Sequence, residues 1–288
     1  MLAANTADMI DELQAHMDDI ARMGAERERA RSELAVASRI QLSALPTVRP
    51  PFSGCDDFGL SASMHPAKEV GGDFYDFFLI DQDHCGVVIA DVSGKGVPAA
   101  LFMMRVKALL NQLLREDLSP DQVLARANDG LCEDNEAGMF VTVWLGVLDL
   151  RSGKLVYANG GHNPPLYRHA DGSVEWMRDR SGLLLGSFEG VPYRVFERTM
   201  IRGDSLILYT DGVTEAMDAS DHCYGDERLF QLVERECDGY SASVSGVIEE
   251  DVRAFAEGAD QADDITLLVL RYDGQENGPA ASAAGNRG

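Results

Sequence analysis

Apolar residues recur at steps of three and four near the start of the chain, at Ile10, Leu13, Met17 and Ile20. That is heptad spacing. The next slots hold Gly24, Arg27 and Arg31 before Leu34 resumes the register, so the seam runs apolar, polar, apolar. From about Thr6 to Leu45 there is no proline, and Ala, Glu, Arg, Met and Leu dominate, which predicts one long helix. Two readings of it stand side by side: a helix lying on its own domain, or a stalk over 1–45 that dimerises or transmits a signal. Pro46 to Pro51 ends the helix and opens a linker over 46–52.

After Phe52 the period shifts from helical to strand-like. Phe74–Ile80 and Gly86–Ala90 form a predicted hairpin across Asp81–His84. Gly96–Arg115 reads as a helix with Pro98 in its first turn, where a missing N–H does no harm. Ser119 caps a second helix that reaches roughly Asn135. Strands return at Phe140–Leu148 and Lys154–Ala158, then near Leu166, Val174, Tyr193–Thr199 and Ser205. Two helices, Asp226–Cys237 and Ser241–Ala256, precede a last strand after Asp264. This order lacks the β–α alternation of a parallel sheet. It predicts an α+β domain of helix-covered antiparallel sheets over 53–273. The Gly/Ala/Asn-rich stretch 274–288 reads as a disordered tail.

Two strands share one ending. Gly86–Ala90 delivers Asp91 into Val92-Ser93-Gly94, and Ser205–Thr210 delivers Asp211 into Gly212. A third inverts the order, with Asp263-Asp264 opening Ile265–Leu270. Neighbouring antiparallel strands bring one end beside the next start, so these carboxylates can gather on one rim of a sheet. Asp73 and Asp76, beside the pair Gly71-Gly72, add a fourth acidic station. Crowded carboxylates repel unless a cation sits among them. Oxygen-only donors select magnesium or manganese over zinc or copper. Two such ions can share a water, lower its pKa and direct the resulting hydroxide at phosphorus.

Charge narrows the partners. The net charge of −23 over 288 residues disfavours unspecific binding to nucleic acid or anionic membrane. It also means that an anionic substrate needs local positive charge, which bound cations would supply. The five cysteines are scattered, with no Cys-x-x-Cys pair, as expected of reduced thiols. No signal-peptide layout opens the chain and no apolar run reaches membrane-spanning length, so a soluble, cytoplasmic protein is expected.

Five segments occur in order: Glu69–Asp76 (EVGGDFYD), Ala90–Val97 (ADVSGKGV), Asn159–Pro165 (NGGHNPP), Tyr209–Glu215 (YTDGVTE) and Ala262–Thr266 (ADDIT). Together they resemble the SpoIIE/RsbU branch of the metal-dependent (PPM) protein phosphatases, related to protein phosphatase 2C. The resemblance runs from about Ser53 to Tyr272, and Arg39–Pro46 is similar to the family's stalk. It implies an α-β-β-α sandwich with a dimetal centre of two Mn2+ or Mg2+ ions between two antiparallel sheets. By motif, Asp91 bridges both ions and Val92 lends a backbone carbonyl. Asp211 and Asp263 hold one ion, Asp73 serves the second, and Asp264 ranks below Asp263. Catalysis would run through Asp91 and Asp211 by way of the metal-bound water.

The resemblance further implies a phosphoserine or phosphothreonine protein as substrate, specifically a phosphorylated anti-sigma-factor antagonist of STAS type. It implies regulation by a partner or by homodimerisation through residues 8–45, acting on the helix near Gly96–Arg115. The turn after Asp91 holds Ser93 and Lys95 where related phosphatases carry a histidine, and no upstream arginine stands out as a phosphate clamp. Lys68 and Lys95 are candidates for that clamp by proximity in sequence. His162 reads as a turn-bracing residue and not a base. Gly94-Lys95-Gly96 lacks P-loop spacing, and Asp57-Phe58-Gly59 lacks the other kinase motifs. Two rival functions remain: an inactive binding module of the same fold, and a dimetal hydrolase of a small phosphoester.

Overall fold

The structure, a computed structural model, describes residues 2–47, 58–236 and 241–274. The segments 48–57 and 275–288, which contain most of the expected linker and tail, lie outside the described residues. The chain divides into two units, Met1–Ala44 and Leu45–Gly288. The first is a single helix, α1 (Leu2–Ala44). On it the heptad positions Leu13, Met17 and Ile20 are 59, 69 and 66% exposed, so this apolar stripe is left open to water.

The second unit runs β1 (Phe58–His65), β2 (Phe74–Leu79), β3 (His84–Val92), α2 (Val97–Leu113), α3 (Pro120–Cys132), β4 (Val141–Asp149) and β5 (Lys154–Gly160). It continues through β6 (Leu166–Arg168), β7 (Val174–Trp176), β8 (Phe196–Thr199), β9 (Ser205–Tyr209) and α4 (Asp211–Thr214). It closes with α5 (Asp226–Glu236), α6 (Ser241–Phe255) and β10 (Ile265–Tyr272). One sheet has the order β1-β10-β9-β6-β7 and the other β2-β3-β4-β5-β8, with every pairing antiparallel.

Strand periodicity explains the layers. On β9 and β10, Leu206, Leu208, Leu268 and Leu270 point into the core shared with the second sheet. Ile207, Tyr209, Leu267 and Val269 point the other way, against Leu229, Val233, Ile248 and Val252 of α5 and α6. Side chains alternate faces along a strand, so one apolar run serves two interfaces. On the other side α2 and α3 cover the second sheet through Met103, Val106, Leu110, Val123, Leu124 and Leu131. The result is the four-layer α-β-β-α sandwich expected from the sequence.

The element reading holds closely in the helices. Pro98 sits in the first turn of α2, and the Gln122 side chain accepts the Ser119 N–H at the start of α3. Two elements were not read from the sequence. β1, with its mixed run FGLSASMH, pairs along its whole length with β10. The single turn α4 begins at Asp211 itself.

Candidate active site

The strand-end aspartates do share a rim, but of the sandwich and not of one sheet. Asp211 and Asp263-Asp264 belong to one sheet, where the end of β9 lies beside the start of β10: Tyr209 pairs with Leu267, and the Thr210 N–H donates to the Thr266 carbonyl. Asp91 ends β3 in the other sheet, opposite Thr142 of β4. Neighbour logic within a single antiparallel sheet accounts for the first group only. Asp91 reaches it because the two sheets stack.

Asp264 is the hub of the rim's backbone. Its Oδ1 accepts from the Ala67 N–H at 2.8 Å, and its Oδ2 from the Gly72 N–H at 2.7 Å and the Asp73 N–H at 3.4 Å. It thereby fixes the loop that enters β2. Gly72 is needed there because a Cβ would stand 2.8 Å from the Val92 carbonyl oxygen. Asp73, just before β2 and 2% exposed, accepts from the Thr266 hydroxyl at 2.8 Å. The Thr210 hydroxyl in turn receives the Thr266 N–H at 3.1 Å. Both threonines lie inside the motif segments, Thr210 in YTDGVTE and Thr266 in ADDIT, but neither was singled out; alternation from Asp264 hints that residue 266 faces the same side.

The carboxylates feel one another. Burial pushes the Asp91 carboxyl up to about 7, and the charges of Asp211, Asp263 and Asp264 add to that, against a hydrogen bond with Asp73. Asp73 is held well above the usual carboxylate range, first by burial and then by Asp91, with Thr210 and Thr266 opposing. Asp211 is raised by burial, by Glu215 and by Asp263, with Lys95 pulling it back. Glu215, in the same motif as Asp211, was not singled out from the sequence. Charge crowding of this kind marks functional sites more often than structural ones.

Asp76 does not join the cluster. It lies on β2, buried, paired with Lys107 and hydrogen-bonded by Asn111, both of α2. The fourth acidic station is therefore Asp73 alone, because three residues along a strand carry Asp76 to the opposite face. Lys68 is exposed on the loop that Asp264 fixes. Lys95 extends back over the rim, its Nζ 2.8 Å from Asp263 Oδ2 and 2.6 Å from the Ala262 carbonyl oxygen.

His162 is a brace between the sheets. Its Nε2 faces the Tyr209 carbonyl at 3.1 Å and its Nδ1 the Thr142 hydroxyl at 2.8 Å. A carbonyl only accepts, so Nε2 carries the hydrogen and Nδ1 accepts from Thr142. Burial lowers the imidazole to about 4. Asn159 clamps the turn from both sides, accepting the His162 N–H and donating to its carbonyl. Neutral and doubly engaged, this ring is no base.

Among the described residues no three His, Cys, Asp or Glu side chains close into a ready-made metal cage. The donor chemistry nonetheless fits divalent cations. The donors are all oxygen, the negative charge is in excess, and burial together with neighbouring carboxylates raises both Asp73 and Asp91.

Comparison with known proteins settles the lineage. The profile of the family described as Stage II sporulation protein E (SpoIIE) matches residues 81–273, about two thirds of the chain. The chain belongs to the SpoIIE family. Phosphoserine phosphatase RsbU of Bacillus subtilis is similar to this SpoIIE-family chain, 28% identical over 91% of it and 76% of RsbU. Phosphoserine phosphatase RsbP of the same organism is 27% identical over 83% of the chain, which spans 57% of RsbP. Among solved structures, the SiaA-PP2C domain of Pseudomonas aeruginosa superposes with a TM-score of 0.76 at 22% identity, covering 86% of this chain and 99% of that domain. The fold is thus that of the PP2C-type phosphatases, and the SpoIIE-family chain is a phosphoprotein phosphatase by lineage. No helix among the described residues is long and apolar enough to cross a membrane.

Proposed function

We propose that this protein hydrolyses phosphoserine or phosphothreonine on a protein, using two Mn2+ or Mg2+ ions held at the rim between its sheets. The observation that carries this is the joining of Asp73, Asp91, Asp211 and Asp263 from two sheets into one over-charged, oxygen-only cluster. Asp91, the Val92 carbonyl, Asp211 and Asp263 would hold the ions, with Asp73 serving the second. Bound there, the ions would polarise the phosphoryl oxygens and activate a water for in-line attack.

The chain's own residues supply the frame. Asp264 ties the Ala67–Asp73 loop to β10, so Asp73 keeps its place and Gly72 lies close against the Val92 carbonyl. Thr266 orients Asp73. His162 locks the end of β9, and so the entry to Asp211, to the opposite sheet. A cation-rich centre also answers how a chain of net charge −23 attracts a phosphate.

The substrate we infer is a phosphorylated anti-sigma-factor antagonist of STAS type, supported by the likeness to RsbU and RsbP. The helix over 8–45 is proposed as the regulatory element, through a partner or through homodimerisation. Its open stripe of Leu13, Met17 and Ile20 supports that reading. Activation would act on α2, which starts five residues after Val92.

The test is release of phosphate from a phosphoserine protein as Mn2+ is titrated. Turnover should need Mn2+, and Asp91→Asn or Asp211→Asn should abolish it. Activity that survives both changes refutes the metal assignment. A deletion of residues 2–44 that leaves turnover unchanged refutes the regulatory role.

A further inference from the structure

Lys95, named from the sequence as a candidate phosphate clamp, lies on the loop Ser93–Gly96 between β3 and α2. Its ammonium is anchored at two points on one neighbouring segment, the Asp263 carboxylate at 2.8 Å and the Ala262 carbonyl at 2.6 Å. These contacts bridge the sheets, because Lys95 follows β3 of one and residues 262–263 precede β10 of the other. Asp211 and Asp264 also lie within electrostatic reach of the ammonium.

The anchoring is reversible by construction. Both glycines that flank Lys95 have positive φ, +84° at Gly94 and +79° at Gly96, and a Cβ at either would meet open space. They are there for backbone conformation and not for packing, so the segment can re-aim the lysine without breaking a core. The Lys95 and Asp263 side chains are 37 and 35% exposed, so an ion arriving from solvent can reach the pair. An ammonium is a compact, hydrated point charge on a flexible stem, well suited to stand in for another cation.

We propose that Lys95 is a tethered counter-ion of the carboxylate rim, which a divalent ion must displace from Asp263 in order to bind. This rests on the reading of the rim as a metal centre. It follows that metal affinity is set partly by the lysine, and that loading frees the start of α2 from the segment before β10. The displaced ammonium stays within one side-chain length of the rim, where a phosphate would lie.

The experiment is calorimetric titration of the full chain with Mn2+, together with thermal unfolding in EDTA, for wild type, Lys95→Met, Lys95→Arg and Asp91→Asn. Losing an ion pair at a partly exposed site corresponds to about two- to fivefold in an equilibrium constant. Lys95→Met should therefore bind Mn2+ about two- to fivefold more tightly, because no internal cation competes. The same variant should melt lower in EDTA, where its carboxylates have lost their counter-charge. Lys95→Arg, which keeps the charge, should stay near wild type in both readouts. Unchanged or weaker Mn2+ binding by Lys95→Met, with wild-type binding intact, overturns the counter-ion role alone. Failure of the wild type to bind Mn2+, or undiminished binding by Asp91→Asn, overturns the metal reading and this role with it.

Discussion

Two buried carboxylates of this molecule are treated in opposite ways. Asp204, 3% exposed at the turn into β9, is surrounded by donors: the Tyr167 hydroxyl, the Ile201 N–H at 2.9 Å and the Ala170 N–H at 2.9 Å. Arg198 lies nearby, over the Tyr167 ring and paired with Glu175. Asp73, 2% exposed at the far rim, is surrounded by other carboxylates and a pair of threonines. The fold can therefore satisfy a buried carboxylate with hydrogen-bond donors when nothing else is asked of it. Where it leaves four or five of them crowded, the missing charge belongs to something that binds.

Breaking each side of that contrast should give different losses. At the rim, Asp91→Asn or Asp211→Asn should cut phosphatase turnover by more than about 100-fold, since removing a metal ligand costs at least what loss of its supporting shell does. Unfolding in EDTA should show those variants no less stable than wild type. At the other end, Asp204→Ala orphans three donors and should cost about 3 kcal/mol of stability in chemical denaturation. Its Mn2+ affinity should not change. A stable Asp204→Ala, or a destabilised Asp91→Asn, would erase the distinction between the two regions.

His162→Ala sharpens the comparison from between them. Losing both partners of the ring should cost about 1–3 kcal/mol. A general base would instead take about 10²–10⁴-fold from turnover at full stability. Loss of stability with turnover recovered at low temperature marks a brace.

How much of this the sequence revealed depends on how local the signal was. Asp91 and Asp211 were legible because each ends an apolar strand and runs into small residues, a pattern contained in about eight positions. The α-β-β-α layering followed from element order and from the resemblance. What could not be read is what depends on pairing across the sandwich. Asp76 was grouped with Asp73 as an acidic station because its partner, Lys107, lies 31 positions away on α2. Thr266 and Thr210 look like ordinary strand threonines until the sheet places them beside Asp73. β1 was missed although Phe58, Leu60, Ala62 and Met64 alternate with small or polar residues; its Gly and Ser content hid a strand that β10 then pairs along its whole length. The Lys95–Asp263 pair spans 168 residues and both sheets, and no spacing rule reaches that far.

The central claim is that the rim carboxylates, with Lys95 as their one close cation among the described residues, carry excess negative charge until metal cations arrive, and stability against pH tests it most directly. Asp91 and Asp73 hold protons more tightly in the folded chain than in the unfolded one. Their contribution is thus fully present at low pH, and it is lost as pH rises from the ordinary carboxylate value of 3.8 through about 7. The slope approaches about 1.4 kcal/mol per pH unit for each proton released. Melting temperatures should be measured from pH 5 to 8 in EDTA and in excess Mn2+, for wild type and Asp91→Asn. The account predicts that wild type in EDTA loses stability as pH rises, that Mn2+ removes the loss, and that Asp91→Asn in EDTA shows a flatter profile. A wild-type profile in EDTA that is flat or rising, and that matches Asp91→Asn and is indifferent to Mn2+, would contradict it.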